Sequence, residues 1–119
     1  MYKKVLIATD GSELAQKAVE QGIALAKKLG AAVTFVTVTL DWSANEMAEL
    51  AERGVGHPVE DYEKRMAARA TKILSPCAEA AEKLGVGSAK VHVKGSPAAE
   101  GIVEAAKNNN CDLIVMSSH

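Results

Sequence analysis

The residues with the most suggestive chemistry lie together in one short segment, Thr9-Asp10-Gly11-Ser12, directly after an apolar run. Asp10 carries a carboxylate there, and a helical pattern begins at Ser12. The free N–H groups of a helix N-terminus favour anions, and open α/β sheets bind ligands beyond the carboxyl ends of their strands. The segment therefore predicts a ligand crevice. The simpler alternative is that Asp10 and Ser12 only shape a turn and cap a helix.

Other arrangements of reactive residues are missing from the sequence. The three histidines, His57, His92 and His119, share no ligand spacing with carboxylates, so no metal site is predicted. The nucleophile elbow, the Walker sequence and the dinucleotide-binding glycine pattern are all absent. Asp10 also lacks the acidic cluster that a phosphoryl-accepting receiver aspartate needs. The residues alone predict a small α/β domain with a crevice for an anionic ligand.

The composition of the chain indicates which partners and which cellular compartment to expect. The chain has 119 residues and a net charge of -1, with acidic and basic residues interleaved, so a nucleic-acid partner is not expected. Cys77 and Cys111 lack Cys-x-x-Cys spacing and are predicted to be buried, reduced thiols of a cytoplasmic protein. No apolar stretch has the length of a signal-peptide core or a membrane span. We expect one domain, residues 1–119, that acts in the cytoplasm without a membrane.

Four predicted strands must position the crevice. Residues 5–8 and 113–116 are apolar without alternation, as in strands buried on both faces, whereas residues 32–40 and 88–94 are more amphipathic. These patterns predict a doubly wound, open parallel α/β sheet of order 3-2-1-4 with helices on both faces. The switch point then falls between the first and fourth strands, where Asp10 faces Met116 and Ser117.

The helices connect these strands. Ser12 is the predicted N-cap of the first helix, Gly30 ends it, and Gly22 lets it approach the sheet closely. Its predicted apolar face is Leu14, Ala18, Gly22, Leu25 and Leu29, widened by Ala15, Val19 and Ala26.

The remaining helices are predicted from local signals. Ser43-Ala44-Asn45-Glu46 fits a capping box for a short helix through residue 52, which is either a flap over the crevice or a surface insertion. Residues 59–84 are helical, with a kink or break expected before Pro76. Ser96 is the predicted N-cap of the last helix, with Pro97 as its first residue.

Three segments resemble the universal stress protein family in the same order and at similar separations. They are residues 2–12, the turn Val93-Lys94-Gly95-Ser96-Pro97, and residues 111–119. The resemblance covers the whole chain. It implies a five-stranded parallel sheet of order 3-2-1-4-5 and a homodimer, and some members of the family bind ATP at the switch point.

The resemblance also implies a set of site residues. Asp10 corresponds to an aspartate near the ribose and phosphates, with Ala8 and Thr9 beside it, and Val38 offers its main chain to adenine. Met116, Ser117 and His119 correspond to the start of the phosphate loop. The implied ligand is ATP, with or without Mg²⁺.

The chain departs from the family pattern in two ways. Ser117 stands where the family has glycine, and its side chain leaves less room for the main chain to approach a phosphate closely. The family's glycine-rich loop, last helix and fifth strand do not follow His119. We expect the printed chain to be a segment of a longer one. The alternative is that a second copy supplies the missing strand.

The leading hypothesis is a stress-response regulatory module that binds an adenine nucleotide between the first and fourth strands. It would not be an enzyme, or would hydrolyse ATP only slowly. The alternative is a dimeric interaction module of the same family that binds no nucleotide. A third possibility, an ATP-using enzyme on a related fold, would carry a Ser-Gly-Gly-x-Asp-like loop in place of Thr9-Asp10-Gly11-Ser12.

Overall fold

The computed structural model describes residues 2–117, which form four strands and four helices. The strands are β1 (Lys4–Ala8), β2 (Ala32–Thr39), β3 (Ser88–Lys94) and β4 (Leu113–Val115). The helices are α1 (Glu13–Leu29), α2 (Ala44–Glu52), α3 (Pro58–Lys83) and α4 (Ala98–Asn108).

The strands form one parallel sheet of order β3-β2-β1-β4, as the sequence predicts. Strand β1 is central, and its residue Leu6 lies opposite Thr34 on one side and Ile114 on the other. The Asp112 carboxylate holds the start of β1 by accepting hydrogen bonds from the amides of Lys3 and Lys4, at 2.7 and 3.0 Å. Because all the strands are parallel, their carboxyl ends lie at the same edge of the sheet.

The helices cover both faces of the sheet, as a doubly wound fold requires. One face packs α1 and α3 against Val5, Ile7 and Phe35, and we call it the rear face. The opposite face packs α4 against Leu6 and Val36, and we call it the front face. Helix α2 contacts α3. No helix within residues 2–117 has both the length and the apolar character needed to cross a membrane.

Helix α1 begins and ends as predicted, and most of its predicted apolar face is buried, except at two leucines. The Ser12 hydroxyl accepts a hydrogen bond from the Ala15 amide, and Gly30 closes the helix with a left-handed φ of 67°. Leu14 and Leu25, both placed on the apolar face by the sequence, are 43% and 37% exposed. Ile23, which was not placed on that face, is buried instead. The buried residues are Ala15, Ala18, Val19, Gly22, Ile23 and Ala26.

Three further local predictions are wrong. Pro97, not Ser96, is the N-cap of α4, and its φ of -61° and ψ of 144° keep it outside the helix, which begins at Ala98. Pro76 does not break α3, which continues through it from Pro58 to Lys83.

The fourth strand is also less buried than predicted. Only three residues of β4 are extended, and Ile114 is 38% exposed on the front face. Within residues 2–117, β4 pairs only with β1 and lies at the edge of the sheet. Its residues are therefore less covered than their apolar pattern predicts. Cys111, at the approach to this strand, is half-buried rather than buried, whereas Cys77 is buried as predicted.

Candidate functional site

The turn after β1 is built from short hydrogen bonds between neighbouring residues. The Ser12 amide donates to Asp10 Oδ1 at 2.9 Å, and the Gly11 amide donates to Thr9 Oγ1 at 3.2 Å. Gly11 adopts a φ of 82°, which only glycine takes without strain. Asp10 and Ser12 therefore do shape the turn and cap α1, while the Asp10 side chain remains exposed at the sheet edge.

The turn opens onto a cavity on the front face, which we call the front cavity. Its volume is about 170 Å³. Six of the seven predicted site residues line it together: Ala8, Thr9, Asp10, Val38, Met116 and Ser117. The seventh, His119, lies outside the described residues.

Three lining residues were not predicted from the sequence: Val36, Ala98 and Ile102. Val36 lies two residues before Val38 and so points to the same face of β2. Ala98 and Ile102 are four residues apart on the first turns of α4, which places both on one side of that helix. Strand alternation and helical spacing could have indicated these residues. Neither signal, however, shows which surface of the sheet α4 covers.

The main chain of Val38 is directed towards the front cavity's open end. Thr9 N–H donates to the Val36 carbonyl at 2.9 Å, so the backbone groups of Val36 point towards β1. Alternate residues of a strand direct their backbone groups to the same side, so those of Val38 point the same way. Pairing with β1 ends at Ala8 opposite Val36. The Val38 groups therefore face the gap beyond the end of β1.

A second cavity adjoins the front cavity at Asp10 and Val38. It lies on the rear side of β2, beneath the N-terminal half of α3, and we call it the rear cavity. Its volume is about 310 Å³. Its remaining lining residues are Thr37, Thr39, Leu40, Tyr62, Met66, Arg69 and Ile73.

His57 and His92 do not line the front cavity. His92 Nε2 is 2.8 Å from the Thr39 hydroxyl, and burial together with the nearby Lys94 ammonium lowers the pKa of His92. His57 lies 4.0 Å from Glu60 near the start of α3. Within residues 2–117, no group of three or more His, Cys, Asp or Glu side chains could hold a metal ion.

The geometry supports ligand binding by an apolar slot with polar groups at its mouth. Ala8, Val36 and Ile102 provide apolar walls. The Asp10 carboxylate and the Val38 main chain supply hydrogen-bonding groups at the rim. Such a combination suits a small, partly apolar ligand that also carries hydrogen-bonding groups.

Comparisons with known proteins are consistent across sequence and structure. The model of the universal stress protein family matches residues 1–119. Universal stress protein YxiE of Bacillus subtilis is 28% identical over 99% of this chain and 80% of its own length. Universal stress protein MJ0531 of Methanocaldococcus jannaschii is 32% identical over 99% of this chain and 65% of its own length.

The solved structures agree in fold. A universal stress protein family member from Burkholderia pseudomallei superposes with a TM-score of 0.82 at 24% identity, covering 99% of this chain and 83% of its own. More distant structural neighbours were solved with nucleotides: one universal stress protein with cAMP, one from Archaeoglobus fulgidus with dAMP, and one from Arabidopsis thaliana with AMP.

Proposed function

Because this chain belongs to the universal stress protein family, we propose that it is a stress-response regulatory module that binds an adenine nucleotide in the front cavity. The observation that carries the proposal is the convergence of Asp10, Val38 and Met116 on one cavity at the carboxyl edge of the sheet. These residues come from three different strand ends, so chain proximity does not explain their meeting.

We assign each part of adenosine to one region of the front cavity. In the proposed complex the base lies between the apolar walls, where the Val38 main chain presents a donor and an acceptor. The Asp10 carboxylate, at the helix α1 end of the cavity, accepts hydrogen bonds from ribose hydroxyls. Nucleotide complexes of structural neighbours with AMP, dAMP and cAMP support the choice of an adenine ligand.

The finer parts of the proposal concern the phosphates and the assembly. We propose ATP, with or without Mg²⁺, as the physiological nucleotide, with phosphates leaving the cavity past Met116 and Ser117. The role of His119 in a phosphate loop stays a prediction. We also propose a cytoplasmic homodimer that changes shape or partner when occupied, and at most slow hydrolysis of ATP.

The volume of the front cavity favours one alternative function. At about 170 Å³ it is smaller than the roughly 300–1,000 Å³ of typical ligand pockets. A family member that binds no nucleotide and acts as a dimeric interaction module would be consistent with that size. Binding measurements distinguish the two functions directly.

The decisive experiment is titration calorimetry with adenosine, AMP and ATP against the wild-type protein and two variants. Asp10→Ala should weaken adenosine binding about tenfold, since a hydrogen bond to a charged group contributes about 1.5–3 kcal/mol and Asp10 is exposed. Ala98→Phe should abolish binding by filling the cavity.

The matched control is Ala99→Phe, because Ala99 is the next residue of α4 and does not line the front cavity. Circular dichroism of each variant verifies folding. If the wild type binds none of the three ligands, the interaction module is the better description. If Ala98→Phe binds as the wild type does, the ligand lies elsewhere.

A further inference from the structure

A groove follows the outer edge of the sheet between β3 and α3, and we call it the edge groove. Its volume is about 260 Å³. Strand β3 ends the sheet order and pairs only with β2 among the strands of residues 2–117. The strand side of the groove consists of Lys90, His92 and Lys94, and the helix side consists of Ala67, Ala70, Thr71 and Leu74. One wall of the groove is therefore basic, and the other is apolar apart from a single hydroxyl.

The basic wall of the edge groove results from strand alternation. Lys90, His92 and Lys94 are alternate residues of β3, so their side chains share the rear side of the sheet and span about 13 Å along the strand. Burial and the Lys94 ammonium lower the pKa of His92, so the positive charge at pH 7 comes from the two lysines. Within residues 2–117, no Asp or Glu side chain lines the groove, and neither lysine forms a salt bridge. The groove therefore favours an anionic occupant.

The main chain of β3 offers further binding groups at the same edge. The Gly95 amide, directly after β3, donates to the Thr39 carbonyl of β2 at 2.9 Å. Because alternate residues of a strand direct their backbone groups to the same side, the odd-numbered residues of β3 point to β2. The N–H and C=O groups of Lys90, His92 and Lys94 therefore point outward. They are the groups with which an added strand would pair.

The charges beside this edge select one kind of added strand. A second copy of β3 is disfavoured, because its own Lys90 and Lys94 would meet the same positive charges. A strand with carboxylates on alternate residues avoids this repulsion and brings its carboxylates to the two ammoniums. On the front side, β3 presents the half-buried Val91 and Val93, which suit apolar residues at the positions between the carboxylates. Charge and alternation together therefore favour an acidic, extended segment.

We propose that the β3 edge and the edge groove bind an extended acidic segment of a partner protein, which pairs with β3 as an added strand. The carboxylates of the segment lie at Lys90 and Lys94, and its intervening apolar residues lie beside Val91 and Val93. The main chain of β3 provides the hydrogen bonds, and no covalent step is involved. The front cavity takes no part, so the proposal does not depend on a bound nucleotide.

The experiment is an NMR titration with an end-blocked heptapeptide in which glutamate alternates with valine or threonine. One control peptide carries glutamine in place of glutamate, and a second has the same residues with the glutamates grouped together. We expect the double variant Lys90→Gln/Lys94→Gln to bind the alternating peptide about 3- to 10-fold more weakly than the wild type, since partly exposed ion pairs contribute modestly. The matched control is Lys17→Gln/Lys107→Gln, which loses the same charge from exposed residues outside the groove and should bind as the wild type does.

Hydrogen exchange tests the strand pairing separately from the charge. At saturation the alternating peptide should slow exchange of the outward amides of Lys90, His92 and Lys94 by about tenfold or more. The amides of Val91 and Val93 already pair with β2 and serve as the internal control, because their exchange should change little. An anion held by the lysine side chains alone would not protect the outward amides.

Four results would overturn the proposal. If the alternating peptide does not bind the wild type at millimolar concentration, the lysines only protect the edge from pairing. If either control peptide binds equally well, the alternating carboxylates are not what the edge recognises. If the peptide binds but the outward amides exchange as before, no strand is added. If the protein instead forms a concentration-dependent dimer through β3 that the peptide does not disrupt, the occupant of the edge is a second copy.

Discussion

Gly22 of α1 tests how closely the helix must approach the sheet. A Cβ added at Gly22 would lie 2.6 Å from Ile7 Cδ1 and 2.9 Å from Ile7 Cγ1, inside normal contact distance, and Ile7 is fully buried. Overpacking of this kind costs about 1–3 kcal/mol, while alanine gains at most about 1 kcal/mol of helix propensity over glycine. Because Ile7 is fully buried and cannot move aside, the cost should lie in the upper half of that range, at about 2–3 kcal/mol, so we expect Gly22→Ala to lower the free energy of unfolding by about 1–2 kcal/mol after the gain in helix propensity.

The assay is urea unfolding followed by circular dichroism, with the m-value checked for each variant. The control is Ile7→Val, which removes the Cδ1 atom and by itself should cost about 0.5–1.5 kcal/mol. In the double variant the clash is partly relieved, so the combined loss should fall short of the sum of the single losses by about 0.5 kcal/mol or more. Strictly additive losses, or a Gly22→Ala protein as stable as the wild type, would refute the close-approach argument.

Three shorter predictions concern other parts of the fold. Thr34→Val should raise the free energy of unfolding by about 1 kcal/mol in urea, because Thr34 Oγ1 is the buried side-chain oxygen that lacks a hydrogen-bond partner within residues 2–117. Asp112→Ala should lower the melting temperature at pH 7, since the Lys3 and Lys4 amides hold the pKa of Asp112 below its usual range. A depressed carboxyl pKa stabilises the fold above about pH 4, so the difference from wild type should shrink as the pH falls below that value. Cys77 should react more slowly with a thiol reagent than half-buried Cys111, because burial raises the pKa of Cys77, and the two rates should converge in urea.

Several local features of the fold were predictable because their causes are local. The Ser12 cap and the Gly30 terminus of α1 depend only on side chains one turn away. The Ser43 cap of α2 is of the same kind: its hydroxyl accepts a hydrogen bond from the Glu46 amide at 3.3 Å. The order of the parallel sheet also followed from strand hydrophobicity and right-handed connections.

The errors concern features that depend on packing between elements. Leu14 and Leu25 have the spacing of an apolar helix face, but the sheet contacts α1 along a neighbouring stripe that includes Gly22 and Ile23. Ser96 has the residue type of an N-cap, yet its hydroxyl lies 3.2 Å from the Pro97 carbonyl and the helix begins later. A residue type is compatible with several local conformations. Contacts between elements of the fold select one of them.

The sequence by itself determined the family of the protein and the strand end at which its candidate site lies. Asp10 follows a fully buried strand and precedes a capped helix, and the parallel order brings it beside Met116 and Ser117. Only the tertiary structure added Ile102 to that site and revealed the rear cavity around Arg69, since both depend on where α4 and α3 rest on the sheet. Strand order follows from chain connectivity and hydrophobicity, whereas the shape of a cavity depends on side chains that are distant in sequence and meet only after the helices pack.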